Sequence, residues 1–217
     1  MDYHENYFEK MDQLWGSRTP GSAFTKHRYY RGIRLLKNPF DLWNYQELIW
    51  ENDIQWIVEC GTHSGGSALY FGDILDNNKA EGRVISIDIS EIKRKEHPPK
   101  KTPDLSKHPK IEFLIGTSIG STIVAEVEQI IRERTKPLLL ILDSNHLEEH
   151  VFAELEIYVP FLKSGDYLVV EDTASTPGPR LAIRRFTEEN PEILERDIVR
   201  EGKMGFTFHP EGYYKVK

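Results

Sequence analysis

The sequence predicts a doubly wound α/β domain, with a mostly parallel sheet covered by helices on both faces and an antiparallel hairpin at its C-terminal side. Three observations carry this expectation. Five short apolar runs alternate with stretches of helical period, polar residues collect where each run ends, and the last residues form two aromatic runs around Pro-Glu-Gly.

Residues 1–50 differ in character from the rest of the chain. They are aromatic, with Tyr3, Tyr7, Phe8 and Trp15, carry the breaker TPGS at 19–22, and end in NPFDLWNYQELIWEN at 38–52. In that last stretch Asp41 is placed to cap a helix that has Leu42, Tyr45, Leu48 and Ile49 on one face. The expected organisation is a helical cap or lid over 1–50 and one α/β domain over 51–217. The aromatic segment is large enough to pack on a neighbouring copy, which makes it the expected surface of a homo-oligomer.

Candidate strands lie at 55–61 (QWIVECG), 82–89 (GRVISIDI), 110–116 (KIEFLIG), 137–143 (PLLLILD) and 165–172 (GDYLVVED). Between them, 121–135 and 150–163 have helical period. Continuously apolar strands separated by helices imply a parallel sheet buried on both faces. In that architecture ligands bind outside the carboxyl ends of the strands. Residues 182–194 read as a helix running into a strand, and 204–216 (MGFTFHPEGYYKV) as the closing hairpin.

With 39% hydrophobic and 29% charged residues in 217, the composition is that of an ordinary globular protein. No apolar stretch approaches the ~18 residues of a membrane span. The first residues are acidic and aromatic, without the basic start and apolar core of a secretory signal. Cys60 is the one cysteine, so no internal disulfide is expected and a cytoplasmic setting is favoured. A net charge of -7 argues against nonspecific nucleic-acid binding. The basic stretch at 93–110 is broken by prolines and reads as a solvated loop.

The unusual polar residues sit at one rim. The first strand ends in a glycine-rich turn, Glu59-Cys60-Gly61-Thr62-His63-Ser64-Gly65-Gly66-Ser67, which is not a Gly-x-Gly-x-x-Gly dinucleotide turn. Glycines let backbone approach a ligand, and the free amides at the following helix start can bind an anion or a carboxylate. Asp88, at the end of the second strand, is placed to accept hydrogen bonds from two ribose hydroxyls. The plainer alternative is an ordinary strand-to-helix turn with a capping acid. Asp143, Glu171 and Asp172 end two strands that, side by side, lie about 5 Å apart. Converging carboxylates repel one another, and a divalent cation with oxygen ligands, Mg²⁺ or a similar ion, relieves this. The alternative is a helix-capping Asp143 and a solvated Glu-Asp pair. His146 lies within reach of a substrate hydroxyl as a general base. His150, four residues on, could join Asp143 and His146 in a two-histidine, one-carboxylate iron site, although a packing histidine is its blander reading. No nucleophile elbow, Cys-x-x-Cys pair or phosphate loop is present, and Cys60 reads as a small buried hydrophobe.

The segments VECGTHSGGSALYFGDIL, GRVISIDI, LLLILDSNHLEEHVFAELEIYVPFLKSGDYLVVEDT and GPRLAIRRF together resemble the cephalosporin hydroxylase / rhamnosyl O-methyltransferase family over about residues 27–217. The resemblance implies a Rossmann-like class I methyltransferase fold with a seven-stranded sheet and an antiparallel last strand. It further implies that Gly61, Thr62, Ser64 and Gly65 lie against the methionine moiety of S-adenosylmethionine. Asp88 would hold the ribose, Ser118 would lie near the adenine, and Asp143, Glu171 and Asp172 would form a Mg²⁺ site. Glu59 is expected to order the donor turn by accepting hydrogen bonds. His63 and Ser64 depart from the smaller or basic residues that relatives often carry there.

The implied function is Mg²⁺-assisted methylation of a hydroxyl on a small molecule, such as a sugar of a glycolipid or natural product. The cation would lower the acceptor's pKa and His146, beside Asp143, would take its proton. Two other readings stand beside it: a non-haem iron hydroxylase built on Asp143, His146 and His150, and a cofactor-binding module without catalysis. Acceptor choice is expected to lie in the cap, including 26–32, and in the loop at 175–180.

Overall fold

The computed structural model describes residues 28–91 and 102–217. The aromatic segment expected to form an oligomer contact, and much of the basic loop, lie outside the described residues. Of the expected N-terminal cap, the described part is a short antiparallel ribbon, β1 (Tyr29–Tyr30) and β2 (Ile33–Arg34), followed by helix α1 (Pro39–Glu51). Asn38, not Asp41, caps α1: its side chain accepts from the Phe40 amide, and Pro39 opens the first turn. Asp41 lies too far along the helix to cap it. It is buried instead, accepting from the Phe208 amide at 2.9 Å and the Tyr213 hydroxyl at 3.2 Å.

The five expected strands form close to their predicted limits: β3 (Trp56–Cys60), β4 (Val84–Asp88), β5 (Ile111–Ile115), β6 (Leu138–Leu142) and β7 (Tyr167–Val170). Helices α2 (Gly66–Asn77), α3 (Ser121–Ile131), α4 (Glu148–Tyr158) and α5 (Pro177–Glu189) alternate with them. After α5 come β8 (Leu194–Arg196), the short α6 (Ile198–Gly202) and β9 (Tyr213–Val216). The seven-stranded sheet has the order β5-β4-β3-β6-β7-β9-β8; β9 alone runs antiparallel to its neighbours. The C-terminal hairpin is therefore present, but its arms are β8 and β9. MGFTF forms no strand: Phe208 and His209 instead pack beneath α1, where Asp41 takes the Phe208 amide.

Strand alternation sorts the core into two layers. Ile57, Leu139, Ile141, Tyr167 and Val169 face Tyr45, Leu48 and Ile49 of α1 and Phe71 and Leu75 of α2. Val58, Cys60, Leu140, Leu142, Leu168 and Val170 face α3, α4 and α5. The parallel ladder continues one residue past the strands, with Gly61 N–H to Ile87 O, Asp143 N–H to Cys60 O and Glu171 N–H to Leu142 O. The alternation therefore carries through, and Glu59, Asp143 and Glu171 fall on the α1 and α2 side. Among the described residues, no helix is long and apolar enough to cross a membrane.

Candidate active site at the carboxyl ends of the strands

The donor turn is held by close backbone approach and by one buried acid. Gly61 has φ +107°, and a Cβ there would stand 2.0 Å from the Asp143 carbonyl oxygen, so glycine lets β3 pass against the end of β6. Gly65, at φ 81°, caps α2 without a side-chain hydrogen bond, which leaves the first amides of α2 to a ligand or solvent. Glu59 is fully buried and accepts from Ser86 Oγ at 2.7 Å; that hydroxyl lies 2.6 Å from Thr62 Oγ1. Burial pushes the Glu59 carboxyl up, against the opposing pull of Lys37, Ser67 and Ser86. Asp88 accepts from the His63 amide (2.9 Å) and the Ser90 amide (3.1 Å), so it ties the turn to the end of β4. Ser64 is buried, with its hydroxyl 2.8 Å from His63 Nδ1.

Beyond β6 and β7 the acids divide between two compartments. Asp143 Oδ2 and Glu171 Oε1 both meet Lys37 Nζ, at 3.0 and 2.6 Å, and Glu59 Oε1 lies 3.9 Å from it. Tyr45 also donates to Glu171 Oε1, at 2.6 Å. Burial would lower the lysine's pKa, but Asp143, Glu171 and Glu59 more than offset it and keep the ammonium charged. Burial likewise opposes ionisation of Asp143, yet Lys37 and His146 hold its carboxyl well below the usual range. Glu171 is pushed up to about 7 by burial.

The second compartment opens to solvent. Asp172 has φ 57°, and this left-handed turn takes it out of the alternation that buries Glu171. Its Oδ2 lies 3.0 Å from His146 Nε2, while Asp143 Oδ1 lies 3.8 Å from the same nitrogen. Among the described residues, one ligand atom each from Asp143, His146 and Asp172 fall within 4.8 Å of one another. The carboxylates of Asp143 and Asp172 raise the His146 pKa to about 10. Nε2 makes no aligned hydrogen bond, so what holds it between the two carboxylate oxygens is charge, with Asp172 Oδ2 at 3.0 Å. Oxygen-rich convergence of this kind fits a divalent cation such as Mg²⁺ or Mn²⁺. Glu171 is not in this group; of the three expected ligands, the structure brings Asp143 and Asp172 together at the rim and leaves Glu171 behind, on Lys37.

Other expected residues fall elsewhere. His150 stands apart from Asp143 and His146, its Nε2 3.2 Å from Ser118 Oγ and 3.5 Å from Glu154, so the three ligands of the iron reading are not assembled. Ser118 is buried and donates to Glu154 Oε1 (2.5 Å), which also receives Ser144 (2.6 Å). Sequence reasoning missed Lys37, Tyr45 as a polar contact, and His209, whose Nδ1 accepts from the Asp172 amide at 2.9 Å. It also missed Gly178, where a Cβ would stand 2.1 Å from the His146 carbonyl oxygen; this approach fixes the His146 loop against the start of α5.

A family model described as "Rhamnosyl O-methyltransferase/CmcI" matches residues 22–217. The chain belongs to the rhamnosyl O-methyltransferase/CmcI family. The rhamnosyl O-methyltransferase of Mycobacterium leprae (strain TN) is 32% identical over 221 residues, covering 98% of this chain and 88% of the relative. That of Mycobacterium tuberculosis (strain ATCC 25618 / H37Rv) is 31% identical, with 98% and 82% covered. Among solved structures, CmcI with Mg and SAM is 24% identical with a TM-score of 0.69, covering 94% of this chain and 84% of that one, and shares the fold. The MycE methyltransferase from the mycinamycin biosynthetic pathway, in complex with Mg, SAH and mycinamycin VI, is 12% identical with a TM-score of 0.53 over 97% of this chain and 54% of that one. Family membership makes the chain an S-adenosylmethionine-dependent O-methyltransferase.

Proposed function

We propose that the chain methylates a hydroxyl of a sugar, such as a rhamnosyl group of a glycolipid or natural product, with the help of a divalent cation. One observation carries this reading: the convergence of Asp143, Asp172 and His146 on the rim that also bears the donor turn. Support for a sugar acceptor comes from the 32% identical rhamnosyl O-methyltransferase, and for Mg²⁺ from relatives of the same fold solved with it.

Asp143 and Asp172 would hold the cation at the rim, with Glu171 behind them as a third carboxylate. Bound there, it would supply Lewis acidity to an acceptor hydroxyl. The donor's sulfonium would be drawn to the acidic rim, with Gly61, Thr62, Ser64 and Gly65 against its methionine part. In the same reading Asp88 serves the ribose, Ser118 the adenine end, and Glu59 the order of the turn. His146 is the proposed base. Its pKa of about 10 leaves it protonated at neutral pH beside the Asp143 and Asp172 carboxylates, so it can take a proton once a bound cation offsets their charge. A cytoplasmic setting is supported by the free, buried Cys60.

Labelled methyl transfer from S-adenosylmethionine to a rhamnose-bearing glycoside tests the proposal. The expected result is a methyl ether whose formation stops with a chelator and resumes with Mg²⁺. Transfer that ignores the chelator would refute metal assistance.

A further inference from the structure

Lys37 stands immediately before the Asn38 cap of α1, and its side chain is 4% exposed at the meeting point of three strand ends. Three carboxylates share this one ammonium: Glu171 at 2.6 Å, Asp143 at 3.0 Å and Glu59 at 3.9 Å. Glu59 Oε1 is buried without a hydrogen-bond partner, and Lys37 is the cation facing it. Asp143 is divided, with Oδ2 on Lys37 and Oδ1 turned towards His146. The ammonium thus fills the space between Asp143 and Glu171, which a cation bound by both carboxylates would need. Two positive charges that close in a buried setting repel strongly.

We propose that Lys37 is a resident counter-cation that competes with the divalent ion for Asp143 and Glu171, so that loading the ion displaces its ammonium from between them. The inference rests on the metal reading above. It explains how a metal-free site keeps two buried acids and the half-buried Asp143 in place, and why Glu171 lies apart from the Asp143, His146 and Asp172 group.

Calorimetric titration of the full chain with Mn²⁺ alone tests this, without donor or acceptor. Lys37→Met is expected to bind at least about tenfold more tightly than wild type, and Lys37→Arg, which keeps the charge, within about threefold of it. Lys37→Met binding no more tightly than wild type overturns the proposal. Should Lys37→Met fail to fold, acetylation of wild type followed by mass spectrometry decides. Lys37 should label slowly in the metal-free protein and faster with saturating Mn²⁺, and unchanged labelling overturns the proposal. Absence of Mn²⁺ binding by both wild type and Lys37→Met would instead sink the metal reading itself, and this inference with it.

Discussion

Strands β6 and β7 carry buried acid–base contacts at both ends, and the two ends are built on different principles. At their amino ends Arg134 and Asp166, each 2% exposed, pair directly. Asp166 is fully used: it also accepts the Leu138 amide at 2.8 Å and the Lys163 amide at 2.7 Å. One cation meets one anion, backbone amides take up the rest of the carboxylate and the Phe161 carbonyl a further guanidinium N–H, so that only Arg134 Nε is left without a hydrogen bond. At the carboxyl ends one ammonium faces three carboxylates, and Asp172 and His146 stand beside Asp143 at the rim with their ligand atoms converging. Acid in excess of base, with perturbed protonation and partial exposure, marks a place that expects another cation. The difference separates a lock from a site within one pair of strands.

Substitutions at the two ends should sharpen that contrast. Asp143→Ala is expected to lower kcat at least ~100-fold while largely sparing S-adenosylmethionine binding, since Lewis-acid assistance is worth several kcal/mol; steady-state kinetics beside calorimetry reads both. Asp166→Ala should do the reverse. It leaves Arg134 buried without its partner, which costs about 3–5 kcal/mol or roughly 6–20 °C in Tm for a domain of this size. Activity per folded molecule should survive, and a folded variant that lost Mn²⁺ binding would blur the distinction. Gly178→Ala tests the rim's precision: its Cβ meets the His146 carbonyl oxygen at 2.1 Å, and the displaced loop should cost about 10–100-fold in kcat/KM.

Protonation gives a gentler probe. The folded His146 pKa of about 10 lies above the ordinary 6.5, so the metal-free fold gains stability from its proton fully below about 6.5 and loses that gain as pH rises through about 10. Mg²⁺ competes with the same charge, so its apparent affinity should rise with pH between these limits, with a slope no greater than one proton; titrations at several pH values would show it. Smallest of all, Glu59→Gln keeps an acceptor for Ser86 but removes a charge from beside Lys37. Donor affinity should fall about three- to tenfold, and normal binding would strip Glu59 of its part in the turn.

Much of the fold and of the rim was legible in the sequence because both depend on local pattern. Apolar runs marked five strands, and the acids that end them marked the rim. What local pattern did not reveal shares a cause in tertiary geometry. Asp41 looked like a cap because its partners, Phe208 and Tyr213, lie far along the chain. Glu171 and Asp172 read as a matched pair, yet alternation turns Glu171 towards α1 and a left-handed φ turns Asp172 outward. Lys37 carried no signal at all: a lysine before a helix cap is ordinary until three strand ends close around it. MGFTF had the look of a strand, but β8 had already taken the edge of β9.

The central claim is that the carboxyl ends of β3, β4, β6 and β7 hold a methyl donor beside a cation. Calorimetric titration of the full chain with S-adenosylmethionine in the presence of Mg²⁺ tests it most directly. Saturable binding of one donor per chain, weakened by Asp88→Ala, is the expected result; no binding up to millimolar donor would contradict it.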